Sequence, residues 1–583
     1  METYARASAS GGSNRQTSAN TSGDSFVEKV YMEKSRFEES EELGSPTTLV
    51  SDADLETGEN GLKSQAGGAS NPHAPDDVEI VNWDGPSDPE NPFNWSRRYK
   101  WAITLTTCFI SILTGLPAGA YSAGYDAMSR EFHINDSGFP YMSFATTSWN
   151  MGAAIFPLIF VPLTENTGRL PGYYISYIMF LIWLIPSATA PNFATLVVTR
   201  FFGGGASSVS INLVGGSITD IWKGARDRSL PMSIFGMSSV IGIALGPFFG
   251  GAINSGMNWR WIYWIQVIID GAFVPVFIAI LRETRGDVIL ARKAKKLRKQ
   301  GHAHAYSQSE LNRLSVWEEL KISFARPTKM LLTEFVVIAF TLWVSFAWGI
   351  LFLFESSIVQ VFSTLYGWSM FPTTTVQLAL SVGAVIATII NPFQDALYFQ
   401  SARRNQETPG RPIPEARLNF AVPGSIIFTA GIFWYGWSSF PDMPWIVPSL
   451  GIGCVGFGVY EIYVAVVNYL SDSYEKYTAS ALSAASLGRN TFGAFLPLAS
   501  KALYTNLGFG WASTLLGFIG AILSLAPIIL LMKGPVIRQG SPFMSESAYD
   551  EKDAEIRRNS YASRKSIPRR QSTAVFPWNG RTL

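Results

Sequence analysis

From Tyr99 to about residue 532 one pattern repeats: a run of some 20 mostly apolar residues, a short polar break, then another run. As a helix, each run is long enough to cross a hydrocarbon layer about 30 Å thick. The runs fall near 99–121, 141–163, 172–190, 192–216, 231–254, 260–281, 332–354, 374–392, 419–439, 444–469, 480–502 and 511–532. They do not alternate with a period of two, so a barrel of membrane strands is not expected. In lipid the backbone must satisfy its own hydrogen bonds, which a helix does. The pattern therefore predicts an all-α membrane protein with 12 transmembrane helices in two groups of six, 98–281 and 331–533.

Between the groups lies a polar segment, 282–330, carrying Arg292, Lys293, Lys295, Lys296, Arg298 and Lys299. Residues 1–97 and 534–583 are polar tails without a sustained apolar period. They bury too little surface to offset ordering entropy and are expected to be disordered. No basic start leads into an apolar run, so no cleaved signal peptide is visible and the first span directs insertion. In the C-terminal tail, Ser560, Ser566 and Ser572 each follow basic residues. They are candidates for phosphorylation or for lying on anionic lipid, beside the plainer reading of a solvated tail.

Lysine and arginine orient the spans. Arg97, Arg98, Lys100, Arg169, Lys223, Arg226, Arg228, the basic centre, Arg403, Arg404, Arg411, Arg417 and Lys476 lie on one side. The other side offers Arg130, Arg260, Lys501 and little else. Both termini are expected in the cytoplasm, with the chain in the cell membrane or, alternatively, the vacuolar membrane. The sequon Asn135-Asp136-Ser137 then falls outside. It either carries a glycan or stays bare because the membrane is so close.

Composition removes other classes. The formal net charge is +1, which gives no argument for nucleic acid. Cys108 and Cys454 both lie in apolar runs, against a disulfide scaffold or a cysteine-bound metal. No Gly-x4-Gly-Lys-Ser/Thr loop is present, which disfavours ATP-driven pumping. No nucleophile pairs with an intramembrane histidine, so the chain is not read as an enzyme, and no metal or cofactor is called for.

The motifs carry more. Span 5 holds Gly242, Gly246, Pro247, Gly250 and Gly251. Residues 242, 246 and 250 stand four apart and form one smooth face that admits another helix closely, while Pro247 permits a bend. Between spans 2 and 3, Glu165-Asn166-Thr167-Gly168-Arg169 combines a turn glycine with an acid and a base able to latch neighbouring helix ends. A partial echo, Pro392-Phe393-Gln394-Asp395, follows span 8 and points to an internal duplication. Arg200 lies inside span 4. A cation there is costly and marks function, unless it snorkels to the outer surface.

The span-5 pattern resembles the antiporter motif of the major facilitator superfamily, and the loop after span 2 resembles its cytoplasmic gate. Asn82-Trp83-Asp84-Gly85-Pro86, Asn91-Pro92-Phe93-Asn94-Trp95-Ser96, Asp220-Ile221-Trp222, Trp259-Arg260-Trp261, Glu283-Thr284, Pro414-Glu415-Ala416-Arg417-Leu418 and Asn468–Tyr474 narrow the likeness to fungal twelve-span drug:proton antiporters, the multidrug and polyamine-type exporters. This resemblance implies the major facilitator fold, two six-helix bundles around a central cavity lined by spans 1, 4, 7 and 10. It also implies proton coupling through Arg200.

Read on that fold, the cavity residues are Thr107, Ser111, Trp343, Trp348, Tyr460 and Tyr463, aromatic walls with a few hydroxyls. Any one of these aromatics alone reads equally as core. Glu461 is taken as the one carboxylate well inside a span, either a proton carrier or half of a structural ion pair with Arg489 at matching depth. Asp126, at the outer end of span 1, is weighed as a partner for Arg200, although the depths match poorly; Glu334 and Glu355 read as span-end residues. The expected function is efflux of amphipathic organic compounds (drugs, a fungal toxin or another secondary metabolite) by a monomer exchanging them for protons. A polyamine exporter, nutrient uptake by the same fold, and a non-transporting receptor are the alternatives. One intramembrane carboxylate tilts the substrate away from polyamines.

Overall fold

The computed structural model describes residues 78–135, 140–312, 315–405 and 412–544. Most of both tails, with Ser560, Ser566 and Ser572, lies outside the described residues, as do Asp136 and Ser137.

Helices α1 (Arg97–Ala120), α2 (Phe144–Thr167), α3 (Arg169–Ala188), α4 (Phe193–Ile221), α5 (Gly224–Gly256) and α6 (Arg260–Ile280) form the first half. Local chemistry sets their ends. The side chains of Ser96 and Asn192 accept backbone N–H bonds at the starts of α1 and α4. Gly168, at φ 107° and ψ 156°, ends α2 and turns the chain directly into α3, a conformation a side chain disfavours. Two helices follow outside the first bundle, α7 (Gly286–Lys299) and α8 (Val316–Thr333). The second half comprises α9 (Phe335–Tyr366), α10 (Leu378–Gln400), α11 (Ala421–Ser438), α12 (Ile446–Tyr474), α13 (Thr478–Leu523) and α14 (Leu525–Gly540).

Among the described residues, ten segments are long and apolar enough to cross a membrane, against the twelve runs read from the sequence. Two physical reasons account for the difference. Helix α4 is diluted by Gly203, Gly204, Gly205, several serines and Arg200. Helices α13 and α14 run together as one segment from Thr478 to Gly540, although Gly508 at φ 74° breaks the helix within it.

The halves repeat one packing scheme. In the first, α1 packs on α5 and α2 on α4; in the second, α9 packs on α13 and α10 on α12. The halves meet where α2 faces α13 and α5 faces α10. Thr147 donates to the Ala494 carbonyl at 2.7 Å and Asn490 to the Ala153 carbonyl at 3.0 Å. Asn391 donates to the Ser233 hydroxyl. These polar contacts hold the seam without a hydrophobic driving force between helices.

The N-terminal tail was expected to stay unstructured as far as residue 97; residues 78–96 instead fold onto the central segment. Strand β1 (Glu79–Ile80) pairs in parallel with β2 (Ala305–Tyr306). Lys293 Nζ lies 2.6 Å from Asp84 and 3.7 Å from Asp88. Backbone N–H groups of Asp84 and Glu90, with the Lys293 charge, hold the Asp88 carboxyl below its ordinary value. The apolar core of this cap is small, Val81, Ala294 and Ala305 with Leu297 against them, so hydrophobic periodicity carried no sign of it. We call the end of the bundle bearing this cap the basic end.

Candidate functional site

Arg200 does not snorkel. It is 1% exposed and its guanidinium is fully engaged inside the first half. Nε donates to the Ala145 carbonyl at 2.9 Å, and Nη1 to the Pro117 carbonyl at 3.1 Å and the Tyr263 hydroxyl at 3.2 Å. The cation lies 4.3 Å from the Tyr121 ring centre and 5.0 Å from that of Trp149. Carbonyls and aromatic faces satisfy its geometry but carry no formal negative charge.

An ionisable carboxyl group stands nearby in the other half. Glu355 in α9, read from the sequence as a span-end residue, is buried because α9 continues to Tyr366. The charge of Arg200 reaches its carboxyl electrostatically, without a direct contact. Among the described residues Glu355 Oε1 has no hydrogen-bond partner. A side chain on Gly119 of α1 would come within 3.0 Å of that oxygen, so Glu355 presses against the helix that supplies Arg200 with a carbonyl. Asp126, the acid weighed beside Arg200 at the sequence level, is exposed.

The glycine face of α5 seats α1. A Cβ on Gly242 would stand 3.1 Å from the Ile112 Cα, and one on Gly246 would stand 2.5 Å from the Ala120 nitrogen. One on Gly250 would meet the Ala120 carbonyl at 2.6 Å. Pro247 lies against Gly119. Gly251 points the other way, where a Cβ would stand 1.9 Å from Thr374 Oγ1 in the second half. Four of these glycines therefore serve two neighbours, α1 and the opposite bundle.

At the basic end the latch is built differently from the expectation. Glu165 is exposed and is not the acid that Arg169 meets. Arg169 Nε donates to Asp220 Oδ2 at 3.3 Å, and Glu283 caps α3 by accepting from the Arg169 N–H at 2.8 Å and the Leu170 N–H at 3.3 Å. Gly168 is needed here, because a Cβ would stand 2.1 Å from Glu283 Oε2. The second half repeats the device with Arg417, which bonds Asp472 at 2.9 Å and Asp395 at 3.1 Å. A turn between two helices leaves the choice of acid to the helix ends that pack there, and sequence distance does not reveal it.

All six residues assigned to the cavity are buried: Thr107, Ser111, Trp343, Trp348, Tyr460 and Tyr463. Tyr460 donates to the Ser233 carbonyl of α5 at 3.3 Å, so it ties the halves together. The ion pair weighed for Glu461 and Arg489 is not made. Glu461 turns toward α11, where a Cβ on Gly424 would stand 2.6 Å from its own Cβ, and both its carboxyl oxygens are buried without a hydrogen-bond partner among the described residues. Arg489 turns the other way, its guanidinium 4.5 Å from the Trp348 ring centre and 5.1 Å from that of Tyr463. Equal depth did not bring them together because they point to different faces of the bundle. An arginine at mid-span costs about 2.5–3.5 kcal/mol on the insertion scale, and an aromatic face returns about 0.5–2 kcal/mol.

Glu461 is also not the one carboxylate inside a span. Asp270 in α6 is fully buried, accepting from Gln266 at 2.7 Å and Tyr177 at 3.1 Å. The spacing Gln266-x3-Asp270 on one helical face was the available sign. Asn135 is exposed beyond the helix Tyr125–Glu131. A groove of about 470 Å³ lies between α1, α5 and α6, lined by Leu105, Phe109, Met237 and Phe273 among others. It contains none of the residues assigned to the cavity.

Comparison with known proteins adds a lineage to this geometry. Residues 107–495 match the Major Facilitator Superfamily. The chain is 32% identical over 467 residues to the MFS transporter cpaT of Aspergillus oryzae, covering 80% of this chain and 93% of that protein. It is 32% identical over 510 residues to the citrinin biosynthesis cluster MFS transporter mrr1 of Monascus ruber, covering 86% and 99%. It is also 32% identical over 517 residues to the MFS-type efflux pump MFS2 of Trichophyton rubrum, covering 85% and 86%. The partially occluded inward-open xylose transporter XylE from E. coli has a similar fold, with TM-score 0.53 at 16% identity, covering 74% of this chain and 97% of that one.

Proposed function

We propose that this chain, which belongs to the Major Facilitator Superfamily and is a multi-pass membrane transporter rather than an enzyme, exports amphipathic organic compounds in exchange for protons. Twelve spans cross the membrane with both termini in the cytoplasm, and the two halves rock about a shared seam. The outward direction draws on relatives called an efflux pump and a biosynthesis-cluster transporter. No cofactor is needed, since the proton gradient drives the exchange.

One observation carries the reading: Glu355 of the second half is buried against Gly119 of α1, the helix whose Pro117 carbonyl holds the buried cation of the first half, Arg200. Rocking that parts the halves parts these charges. With Glu355 ionised, separation leaves each charge alone in a low-dielectric site, which is costly. A proton on Glu355 removes that cost. The proton is thus tied to one orientation of the halves, which is what coupling requires.

The test is flux in proteoliposomes holding the full chain under an imposed pH gradient. Substrate should move up its own gradient when the pH gradient is applied, and stop moving when an ionophore collapses it. Arg200→Ala should keep the protein in the membrane and lose gradient-driven flux. Binding without flux under every gradient would point to a receptor instead.

A further inference from the structure

Arg489 is a cation inside a span that the proposed exchange with protons does not use. It sits about 11 residues into α13, roughly 16 Å from that helix's start, near the middle of a hydrocarbon layer. It is partly exposed, while its Nε is buried with no hydrogen-bond partner. Among the described residues no carboxylate pairs with it, and its guanidinium lies against the rings of Trp348 and Tyr463. Those two rings lie 5.4 Å apart, tilted 42° to each other. The site is at the seam between the halves. The neighbouring Asn490 bonds α2 across it, and a Cβ on Gly236 of α5 would stand 3.8 Å from the Tyr463 ring.

We propose that Arg489, Trp348 and Tyr463 form the recognition site for an aromatic organic acid. The guanidinium takes the carboxylate, and the two rings take the flat apolar part. Aromatic contact offsets only part of the penalty of a cation at this depth, and an arginine fork fits a carboxylate with two parallel hydrogen bonds. The acid at matching depth, Glu461, is turned toward α11 and leaves the guanidinium uncompensated. A polyamine would meet a positive charge here. This inference rests on the proposed transport role only for calling the ligand a substrate; the binding itself does not depend on protons.

The test is equilibrium binding to the full chain in detergent, with no gradient present. Three probes share one ring system: a naphthalene carboxylate, its uncharged amide and its aminomethyl counterpart. Wild type should prefer the carboxylate to the amide by about tenfold or more, the size of one charge-assisted hydrogen-bond pair, and should bind the amine least. Arg489→Ala should erase the preference of carboxylate over amide, and Arg489→Lys should keep part of it. Wild type showing no preference for the carboxylate overturns the proposal, as does an Arg489→Ala protein that retains it. The three-probe comparison on wild type stands even where Arg489→Ala does not fold. A preference seen here without gradient-driven flux in vesicles would count against proton coupling and leave this site intact.

Discussion

Arg417 donates through Nε to Asp472 at 2.9 Å, joining the start of α11 to the end of α12. Arg169 and Asp220 stand in the same relation between α3 and α4, at 3.3 Å. Each half thus closes its basic end with one arginine and an acid from the end of the next helix. In the second copy Arg417 also bonds Asp395 and lies 3.5 Å from the Tyr398 ring centre.

Arg417→Ala leaves Asp395 and Asp472 without their cation in a nearly closed site, with side chains 14% and 16% exposed. Breaking a buried pair in this way costs about 3–5 kcal/mol. Thermal unfolding in detergent should show a large drop for Arg417→Ala and a smaller one for Arg417→Lys, which keeps the charge but not the fork. A melting temperature unchanged in Arg417→Ala would show that the cluster does not stabilise the fold.

Glu355→Gln keeps the volume at the seam and removes the one group there that the proposed exchange protonates. Flux in proteoliposomes should no longer respond to an imposed pH gradient, while exchange of substrate between the two sides at equal pH continues. Gradient-driven flux surviving in Glu355→Gln at the wild-type level would remove Glu355 from the coupling.

Gly251→Ala places a methyl group 1.9 Å from Thr374 Oγ1, where α5 meets the second half at the end opposite the basic end. Overpacking of this kind costs about 1–3 kcal/mol, and parting the halves at that end relieves it. A cysteine introduced near Thr374 should react faster with an impermeant maleimide in Gly251→Ala than in wild type. Equal rates would mean that the two surfaces adjust locally.

The cap formed by residues 78–96 and α7 should be docked over a wide pH window. The Asp88 carboxyl is held below its ordinary 3.8 by the Asp84 and Glu90 N–H groups and by Lys293. Arg298 holds Glu310 below 4.5. Carboxylates depressed in the folded state stabilise it above their ordinary values and lose that effect as pH falls through the depressed ones. Burial works against the Lys293 charge, but bonds to Asp84 and Asp88 raise it above 10.5; its contribution is full below 10.5 and is lost as pH rises through the raised value. Amide exchange of residues 79–81 should stay slow, after correction for the intrinsic rate, between about 4.5 and 10.5. It should quicken on either side, and Lys293→Met should speed it throughout. Protection independent of both pH and Lys293 would assign docking to the β1–β2 pairing alone.

Runs of apolar residues repeat in the sequence with the length of a bilayer, so the membrane class and the helices are determined there. Lipid leaves a backbone no other way to satisfy its hydrogen bonds. Gly168 and the four-residue spacing of Gly242, Gly246 and Gly250 are equally local, since a turn and a smooth helix face need no distant partner to be recognised. Which charges meet was decided only by the tertiary structure. Arg200 and Glu355 are 155 positions apart in the chain and belong to different halves. Glu461 and Arg489 share a depth yet face apart, and Arg169 finds Asp220 where Glu165 was expected. Depth along a helix can be counted from sequence, but the direction a side chain points, and what stands opposite it, depends on how the helices are rotated and packed.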